Sequence, residues 1–290
     1  MTAAAASIAV RVDAALGAAP VRRRVLQGGS TVTVEEMVLQ DGRHVVVKHG
    51  RGRLNDHLAV ERSMLDDLAA DGIVPVPDVL FGEDDLLIMA FIAGDRTVGS
   101  AGTEEHAADI LAALHDRPQP AFGYTRDTVI GQLPQPNPRT DNWLAFYRDH
   151  RLLHMAEAGN RERTVPDRLR RRLETLAGRL DRYLTEPDHP SLLHGDVWTG
   201  NVIARDGRIA ALIDPAIYWG HPEIELAFIT MFNTFGQRFF DRYRERRGLD
   251  PAFFDIRRDL YLIYPLLVHV RYWDTSYARG IESTLDRLGL

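Results

Sequence analysis

The spacing of apolar residues changes near Gly94, from a strand-like pattern before it to a mainly helical pattern after it. In the first part, Asp41-Gly42 separates two apolar, β-branched runs. This is a strong hairpin signal, because both turn residues tolerate a positive φ. A helical stripe from Leu54 to Leu68 follows, with Glu61 inside it. A second such turn, Asp206-Gly207, marks a hairpin within the helical part.

These patterns predict an α+β fold with two lobes. Residues 1–92 are predicted to form a small β-rich N-terminal lobe with one helix, and residues 93–290 a larger, mainly helical C-terminal lobe. A cleft between two lobes is a common place for a ligand. The predicted strands of the first lobe are Val21–Leu26, Thr31–Leu39, His44–Lys48, Val79–Phe81 and Leu86–Ile92. The predicted helices of the second are Glu104–His115, Asp141–Ala158, Pro166–Leu184, Pro222–Thr234 and Pro251–Tyr277, with a loop over Leu192–Asn201.

Composition narrows the classes of partner and site. Hydrophobic residues make up 45% and charged residues 26% of the 290 positions, which is typical of a globular protein. The net charge of −6, without a Lys/Arg-rich tract, argues against nucleic acid as a partner. The chain has no cysteine, which excludes disulfides, thiolate metal sites and cysteine nucleophiles and fits a cytoplasmic protein. The apolar stretch Tyr261–Val270 is shorter than the ~20 residues that span a membrane, so no membrane contact is expected.

Polar residues on either side of the second hairpin suit phosphoryl transfer. This reaction needs a carboxylate that accepts a hydroxyl proton, and oxygen ligands for a Mg²⁺ ion that bridges the nucleotide phosphates. Asp196 and Asn201 are five positions apart, as in a protein-kinase catalytic loop, and Asp214 ends the following hairpin. Taken singly, each is also an ordinary turn or cap residue. Together they favour a site in which these three residues supply the base and the metal ligands.

The first lobe offers independent support. Lys48 ends an apolar strand at the edge of the core, and Glu61 on the next helix is its natural partner, because an unpaired buried charge is costly. A lone Lys or Glu is usually just solvated, but a kinase uses such a pair to hold the α- and β-phosphates. The glycines of Gly28-Gly29-Ser30 let backbone N–H groups approach phosphates, although they match neither the P-loop nor the GxGxxG pattern.

The motifs as a whole resemble those of the fructosamine kinase (ketosamine-3-kinase) family, within the aminoglycoside-phosphotransferase-like group of the protein-kinase-like fold. The HGDxxxxN element, His194 to Asn201, is shared by many small-molecule kinases. Its form with Trp198, followed by DPAxYxGHxExELA from Asp214 to Ala227, is more particular to fructosamine kinases. The similarity runs roughly from residue 20 to residue 280 and includes Phe122-Gly123, Ile130-Gly131, Pro134-Gln135-Pro136-Asn137, Asp141 to Leu152, and Met231-Phe232.

The resemblance implies a kinase that uses ATP and Mg²⁺ to phosphorylate a sugar hydroxyl of ketosamines, the glycation adducts of fructosamine or ribulosamine type, in deglycation repair. It implies that Asp196 is the catalytic base and that Asn201 and Asp214 hold the metal. Lys48 would contact the phosphates and Glu61 would position Lys48. The other implied contacts are Gly28, Gly29 and Ser30 at the phosphates, Met89, Phe91 and Ile92 at the adenine-facing hinge, and Gln135, Asn137, Trp198, Tyr218 and Glu223 near the sugar-amine pocket.

Several alternatives stay open from the sequence. Thr128 and Pro138 depart from residues that are common in the family, so an aminoglycoside, an amino alcohol or a free sugar are alternatives to a small-molecule ketosamine or glycated amine. A non-catalytic nucleotide-binding pseudokinase is a further alternative, against which the intact catalytic set argues. Trp198 and Tyr218 could equally be core residues, and Glu223 could be a first-turn helix residue favoured by the helix dipole. The sequence indicates no oligomeric state.

Overall fold

A computed structural model describes residues 7–26, 32–50 and 56–290 of the chain. Its first part contains the strands β1 (Pro20–Val25), β2 (Thr33–Leu39), β3 (His44–His49), β4 (Val79–Glu83) and β5 (Leu86–Ala90), with helix α1 (Ile8–Leu16) before them and α2 (His57–Ala69) between β3 and β4. These strands form one antiparallel sheet in the order β1-β2-β3-β5-β4. Short polar turns join β2 to β3 and β4 to β5, as antiparallel neighbours allow, whereas β3 and β5 are neighbours that α2 and β4 separate in the chain.

The two faces of this sheet are covered by different helices. Val45 and Val47 of β3 belong to a core that includes residues of α1. Val46 packs against a second core, which contains Leu58 of α2. Because successive side chains of a strand point to opposite faces, Lys48 shares the α2 face with Val46. The alternation of β3 thus directs the predicted phosphate-binding lysine towards α2.

The rest of the chain is mainly helical, with three short hairpin-like strand pairs. The helices are α3 (Ala101–His115), α4 (Trp143–Phe146), α5 (His154–Arg161), α6 (Asp167–Ala177), α7 (Pro222–Met231), α8 (Gln237–Arg247), α9 (Arg257–Tyr272) and α10 (Ala278–Arg287), and a π-helical turn over Tyr147–Leu153 joins α4 to α5. The strand pairs are β6 (Thr128–Ile130) with β7 (Leu133–Gln135), β9 (Val202–Arg205) with β10 (Arg208–Leu212), and β8 (Ser191–Leu193) with β11 (Tyr218–Gly220).

An aromatic core beneath the β8–β11 pair supports the loops that follow these strands. Trp143 is fully buried, and its indole N–H donates to the Tyr261 hydroxyl over 3.0 Å. The ring of Phe146 stacks on Tyr218 of β11, with 6.0 Å between ring centroids. Large buried aromatic rings contribute strongly to packing, and the polar atom of Trp143 is satisfied within this core. The strands that flank the catalytic motifs therefore rest on a rigid base.

The two-lobed α+β prediction is confirmed, with differences in detail. The predicted loop Leu192–Asn201 begins as strand β8, because its first residues pair with β11 rather than with a sequence neighbour. The helices α1, α8 and α10 were not expected. In α8, few apolar residues stand among many charges, so its buried stripe of Phe239, Phe240 and Tyr243 is short. The predicted lobe boundary between residues 92 and 93 stays a prediction.

Several predicted ends also move. The helix predicted over Pro251–Tyr277 is a short 3₁₀ turn, then α9, then another 3₁₀ turn, and the helix predicted to reach Thr234 ends at Met231. Helix ends depend on capping and packing that periodicity does not report. Among the described residues, none of the helices combines the length and the apolar character that crossing a bilayer would require.

Candidate active site

The β9–β10 hairpin brings Asn201 and Asp214 together at its open end. Asn201 directly precedes β9 and Asp214 follows β10 by two residues, and the Ile213 N–H donates to the Asn201 carbonyl over 3.0 Å. The side-chain amide of Asn201 donates to the backbone carbonyl of Asp196 at 2.9 Å and to its carboxylate at 2.8 Å. Asp196, Asn201 and Asp214, which are separated by five and by thirteen positions in the sequence, thus lie at one end of the hairpin.

The backbone before Asp196 has a conformation that requires glycine. Gly195 has φ of +85°, and a Cβ atom at this position would lie 2.1 Å from the carbonyl oxygen of Ala216. The loop accepts one hydrogen bond and donates another: the Ala216 N–H donates to the His194 carbonyl at 2.8 Å, and the Gly195 N–H donates to Glu225 at 2.6 Å. Such a position admits a side chain only with strain and a clash. The HGD sequence is therefore explained by local geometry as well as by chemistry.

A buried ion-pair cluster joins the first lobe to this hairpin. The ammonium of Lys48 lies 2.5 Å from Glu61 and 2.5 Å from Asp214. Lys48 and Glu61 are 7% and 6% exposed, whereas the side chain of Asp214 is 42% exposed. Burial alone would lower the pKa of Lys48, but the charges of Asp214 and Glu61 outweigh it and raise this pKa above its ordinary value. The lysine is therefore held as a cation, and the predicted pairing of Lys48 with Glu61 is confirmed.

Asp214 and Asp196 have opposite shifts although both are carboxylates. Burial would raise the pKa of Asp214, but the Lys48 ammonium outweighs it and lowers this pKa below its usual value. No cation of the described ranges is in contact with Asp196. Burial raises its pKa to about 8, and the negative charge of Asp214 acts in the same direction. Two carboxylates with separated pKa values are a common arrangement in acid–base catalysis. Asp214 suits a permanent charge and Asp196 suits proton transfer.

A buried chain of polar groups supports the loop from behind. Glu225 accepts the Gly195 N–H through one carboxylate oxygen, and its other oxygen lies 2.9 Å from His115 Nε2. The second ring nitrogen of His115 lies 2.8 Å from the Tyr243 hydroxyl. Burial would raise the pKa of Glu225, but its contacts with His115 hold that pKa below the usual value. The sequence does not identify His115 and Tyr243, because they reach the loop from α3 and α8.

Asn201 and Asp214 fit the chemistry of a magnesium site. A carboxylate and an amide oxygen are hard ligands, and Mg²⁺ is often held by one or two protein groups together with substrate phosphates. The described residues contain no cluster of three or more histidine, aspartate or glutamate side chains that would bind a metal without a nucleotide. Asn201 and Asp214 would hold Mg²⁺ together with nucleotide phosphates.

The hinge residues lie where the sheet ends, and one predicted loop is outside the described residues. Met89 is buried in β5, paired with Val46 of β3. The Phe91 N–H donates to the His44 carbonyl at 3.1 Å, and Ile92 follows it. This segment leads from β5 into the second lobe. Gly28-Gly29-Ser30 falls outside the described ranges, so its predicted contacts stay a prediction.

Gln135 and Asn137 lie in a buried network, not on an open surface. They are 1% and 2% exposed. The Gln135 amide donates to Thr128 and to the Ala216 carbonyl, and its oxygen accepts from Tyr264. The Asn137 amide also donates to Thr128, at 2.8 Å, and its oxygen accepts from Arg151 at 2.6 Å. Both side chains use their polar atoms within the protein, and their predicted contact with the acceptor stays a prediction.

Glu223 and Tyr218 are likewise engaged inside the protein. Both carboxylate oxygens of Glu223 accept from Arg257, each at 2.8 Å, and this pair is largely buried. The guanidinium of Arg151 lies over the ring of Tyr218, 4.0 Å from its centroid. Tyr218 also lines a small pocket together with Gly195, beside the catalytic loop. Of these two predicted acceptor residues, Tyr218 lies near the catalytic loop, whereas both carboxylate oxygens of Glu223 are bonded to Arg257.

Trp198 differs from these residues because it is 37% exposed. Its ring centroid lies 5.5 Å from that of Phe232, which lies 5.4 Å from His269, which in turn lies 5.0 Å from Tyr277. These four rings, the aromatic row, run from the catalytic loop across the ends of α7 and α9. On the other side of the loop, Arg96 donates to the Gly200 carbonyl. Of the four residues of this row, the sequence analysis proposed only Trp198 as a site residue.

Comparison with known proteins agrees with this geometry. A family model described as Fructosamine kinase matches residues 5–289. The chain belongs to the fructosamine kinase family. The members of this family are kinases, which use a nucleotide as phosphoryl donor, and the match includes the catalytic loop and its hairpin as well as both lobes.

Individual relatives differ in how much of their length is matched. The probable ketoamine kinase of Synechocystis is 35% identical over 61% of this chain and 59% of that protein. The protein-ribulosamine 3-kinase of rice is 31% identical over 64% of this chain and 55% of that protein. The probable ketoamine kinase of Staphylococcus aureus is 29% identical over 82% and 83%. The alignments thus span less than two thirds of the first two relatives and most of the third.

Solved structures of family members and of more distant kinases share the fold. A candidate fructosamine-3-kinase from Thermobifida fusca is 28% identical, has a TM-score of 0.87, and the match covers 97% of both chains. An aminoglycoside phosphotransferase, APH(4)-Ia, is 19% identical with a TM-score of 0.69 over 97% of this chain and 99% of that one. The second likeness concerns the fold alone. The fructosamine kinase family therefore has the protein-kinase-like architecture expected from the sequence.

Proposed function

We propose that the protein is an ATP-dependent kinase that transfers a phosphoryl group to a sugar hydroxyl of a ketosamine. The observation that carries this proposal is the Lys48–Glu61–Asp214 ion cluster, which stands beside the Asp196–Asn201 hydrogen bonds. A cation for the phosphates, a charged carboxylate for the metal and a carboxylate that can accept a proton are the groups that phosphoryl transfer needs. The cytoplasmic location expected from the sequence is part of this proposal.

In the proposed reaction Asp196 orients the acceptor hydroxyl and takes its proton. The hydroxyl oxygen forms a bond to the γ-phosphorus, the bond from that phosphorus to the β–γ bridging oxygen breaks, and ADP leaves. Lys48 stabilises the charge on the phosphates, and Glu61 holds Lys48 in place. Asp214 and Asn201 would hold Mg²⁺, which when bound neutralises charge on the nucleotide phosphates. The hydrogen bonds from Asn201 keep the Asp196 carboxylate at the hairpin.

Family membership and the names of the relatives support a ketosamine as acceptor. Ketoamine and ribulosamine kinases are among the relatives, whereas the aminoglycoside phosphotransferase shares only the fold. Trp198 and Tyr218 are the predicted acceptor residues that lie beside the catalytic loop, and we assign them to the acceptor side. A site that hydrogen-bonds a sugar or its amine rejects analogues without that group strongly, because its buried polar groups are then left unpaired.

A panel of acceptors tests the proposal directly. Release of ADP is measured with fructosamines, ribulosamines, aminoglycosides and the amine-free sugars. We expect ketosamines to be used with kcat/KM at least ~10²-fold above that of the matching sugars. The Asp196→Ala variant serves as the inactive control. Equal use of sugars and ketosamines, or preference for an aminoglycoside, would contradict the ketosamine assignment, and activity that survives in the variant would contradict the kinase site.

A further inference from the structure

One buried polar side chain near the phosphate side has no partner in the part of the chain that the structure describes. His57 is the first residue of α2 and is 7% exposed. Its Nδ1 atom is buried and makes no hydrogen bond with any described residue. Leaving a buried polar atom unpaired costs about 1–3 kcal/mol, so such atoms are uncommon and call for a specific explanation.

The position of His57 links it to the ion cluster. His57 and Glu61 are four residues apart in α2, so their side chains lie on one face of the helix, one turn apart. Glu61 uses this face to contact Lys48, which contacts Asp214. Burial lowers the pKa of His57, the charge of Lys48 lowers it further, and Asp214 acts in the opposite direction. The ring therefore lies within the electrostatic field of the same charges.

Within the described residues, the start of α2 also has no side-chain cap. Asp56 occupies the N-cap position, and its carboxylate makes no capping hydrogen bond to the first turn. The first N–H groups of a helix have no partner within the helix, and the dipole makes this end favourable for an anion. Helix α2 has thirteen residues. Its first residue is His57, so the unpaired Nδ1 lies in the first turn, where the described residues provide no side-chain cap. Within the described residues, the first turn of α2 and the unpaired Nδ1 of His57 are two separate features that both suit an anion.

We propose that His57 and the first turn of α2 form a subsite for the phosphate groups of the nucleotide, in which His57 Nδ1 donates a hydrogen bond to a phosphate oxygen. This subsite rests on the proposed function for the identity of its ligand, and it adds a contact to those of Lys48 and the metal ligands. The imidazole makes this donation in the tautomer that carries the proton on Nδ1. The backbone N–H groups and the dipole at the start of α2 favour a phosphate at this place.

Three substitutions separate this role from a structural one. His57→Leu removes the donor and keeps an apolar side chain in the buried space. His57→Asn restores a donor, because the side-chain amide nitrogen occupies nearly the same place as Nδ1. The matched control is His49→Leu, since His49 neighbours Lys48 on β3 but lies 2.8 Å from Glu35 through its ring. Binding of adenosine, AMP, ADP and a non-hydrolysable ATP analogue is measured by calorimetry, and the melting temperature is measured without nucleotide.

We expect His57→Leu to weaken binding of the ATP analogue about tenfold, as for the loss of one hydrogen bond to a charged group. Adenosine should bind within about twofold of the wild type, and His57→Asn should recover most of the affinity. The melting temperature of His57→Leu should stay the same or rise, because an unpaired polar atom has been removed. The His49→Leu variant should bind all four ligands normally.

The subsite is wrong if the stable His57→Leu protein binds the ATP analogue as tightly as the wild type. It is also wrong if the melting temperature falls and all four ligands, adenosine included, are weakened equally, since His57 would then be structural. These outcomes leave the proposed kinase function intact. Failure of the wild-type protein itself to bind any nucleotide would instead overturn the proposed function and, with it, the subsite.

Discussion

The polar residues on the phosphate side of the candidate site (Lys48, Asp214 and Asp196) differ in their environment from those predicted for the acceptor side (Gln135 and Glu223). On the phosphate side, the side chain of Asp214 is 42% exposed beside the buried Lys48, and the pKa of Asp196 is raised to about 8. Gln135 and Glu223, predicted for the acceptor side, are buried with their polar atoms already bonded to other side chains. Both groups belong to the same family motifs. The two groups differ in how far their polar atoms are already bonded within the protein.

This difference separates two reasons for which a motif contains a polar residue. A residue that reacts or binds needs atoms that the protein leaves unpaired, and it keeps them at some cost in stability. A residue that holds the scaffold is satisfied internally, and its removal leaves a buried partner unpaired. Substitutions of these residues should therefore have different effects. Those on the phosphate side should lower activity, and those of Gln135 or Glu223 should lower the free energy of unfolding.

The largest expected effect is that of Asp196→Asn. We expect kcat to fall by about 10²-fold or more, because the amide keeps the shape of the carboxylate but cannot take the hydroxyl proton. Nucleotide affinity should stay near that of the wild type. Asp206→Asn, in the exposed turn of the β9–β10 hairpin, is the matched control and should be fully active. Transfer within a few-fold of wild type in Asp196→Asn would remove this residue from the mechanism.

Glu223→Gln tests the opposite side. This change breaks the buried pair with Arg257, so the free energy of unfolding should fall by about 3 kcal/mol, as for other buried ion pairs that lose one partner. The KM for the acceptor should hardly change in the folded protein. Denaturant unfolding and steady-state kinetics measure the two quantities, with the exposed Glu245→Gln as control. A selective rise in acceptor KM at unchanged stability would support the acceptor contact predicted from the sequence and would contradict the difference between the two sides.

The raised pKa of Asp196 predicts the pH dependence of activity. Since the base must be ionised, kcat/KM for the nucleotide should fall about tenfold per pH unit below pH 8 and level off above it. The folded protein binds this proton more tightly than the unfolded chain, whose aspartate pKa is about 4. The wild type should therefore lose stability relative to Asp196→Asn as the pH rises from about 4 to about 8. A flat activity profile from pH 6 to pH 9 would count against the assignment.

Lys48 and Glu61 should act as one unit. A double-mutant cycle with Lys48→Met and Glu61→Gln, measured on kcat/KM, should give a coupling of about 1–2 kcal/mol, because each charge is buried against the other. The exposed pair Arg43 and Asp41 on the same sheet is the control and should show no coupling in activity. A coupling below ~0.5 kcal/mol would mean that Lys48 and Glu61 contribute independently.

The smallest effect concerns the aromatic row. Phe232→Ala should raise the acceptor KM about threefold and leave the ATP KM unchanged, because Phe232 supports the exposed ring of Trp198 beside the catalytic loop. Trp273→Ala, an exposed aromatic residue outside the row, is the matched control. A change that is equal for every acceptor and for ATP would show that Phe232 stabilises the loop rather than the acceptor side.

The sequence by itself determined the class of the fold and the order of the catalytic residues. Apolar, β-branched runs separated by polar turns specified the strands of the first lobe, and the position of Glu61 on the apolar stripe of the next helix made it the expected partner of Lys48. The spacing of Asp196, Asn201 and Asp214 around one hairpin was also local information, because a hairpin brings the residues at its two ends together. Local periodicity reports which face of an element is buried, and this was enough for these features.

The tertiary structure decided which distant polar groups meet. Lys48 reaches Asp214 across 166 positions, Glu223 is satisfied by Arg257, and Glu225 is satisfied by His115. Motif spacing did not distinguish Glu223 from a ligand-binding residue, because the partner that satisfies it lies on another helix. The unpaired nitrogen of His57 is equally invisible in sequence. Whether a buried polar atom is free or bonded depends on packing between segments that are far apart in the chain, and only the folded structure brings those segments together.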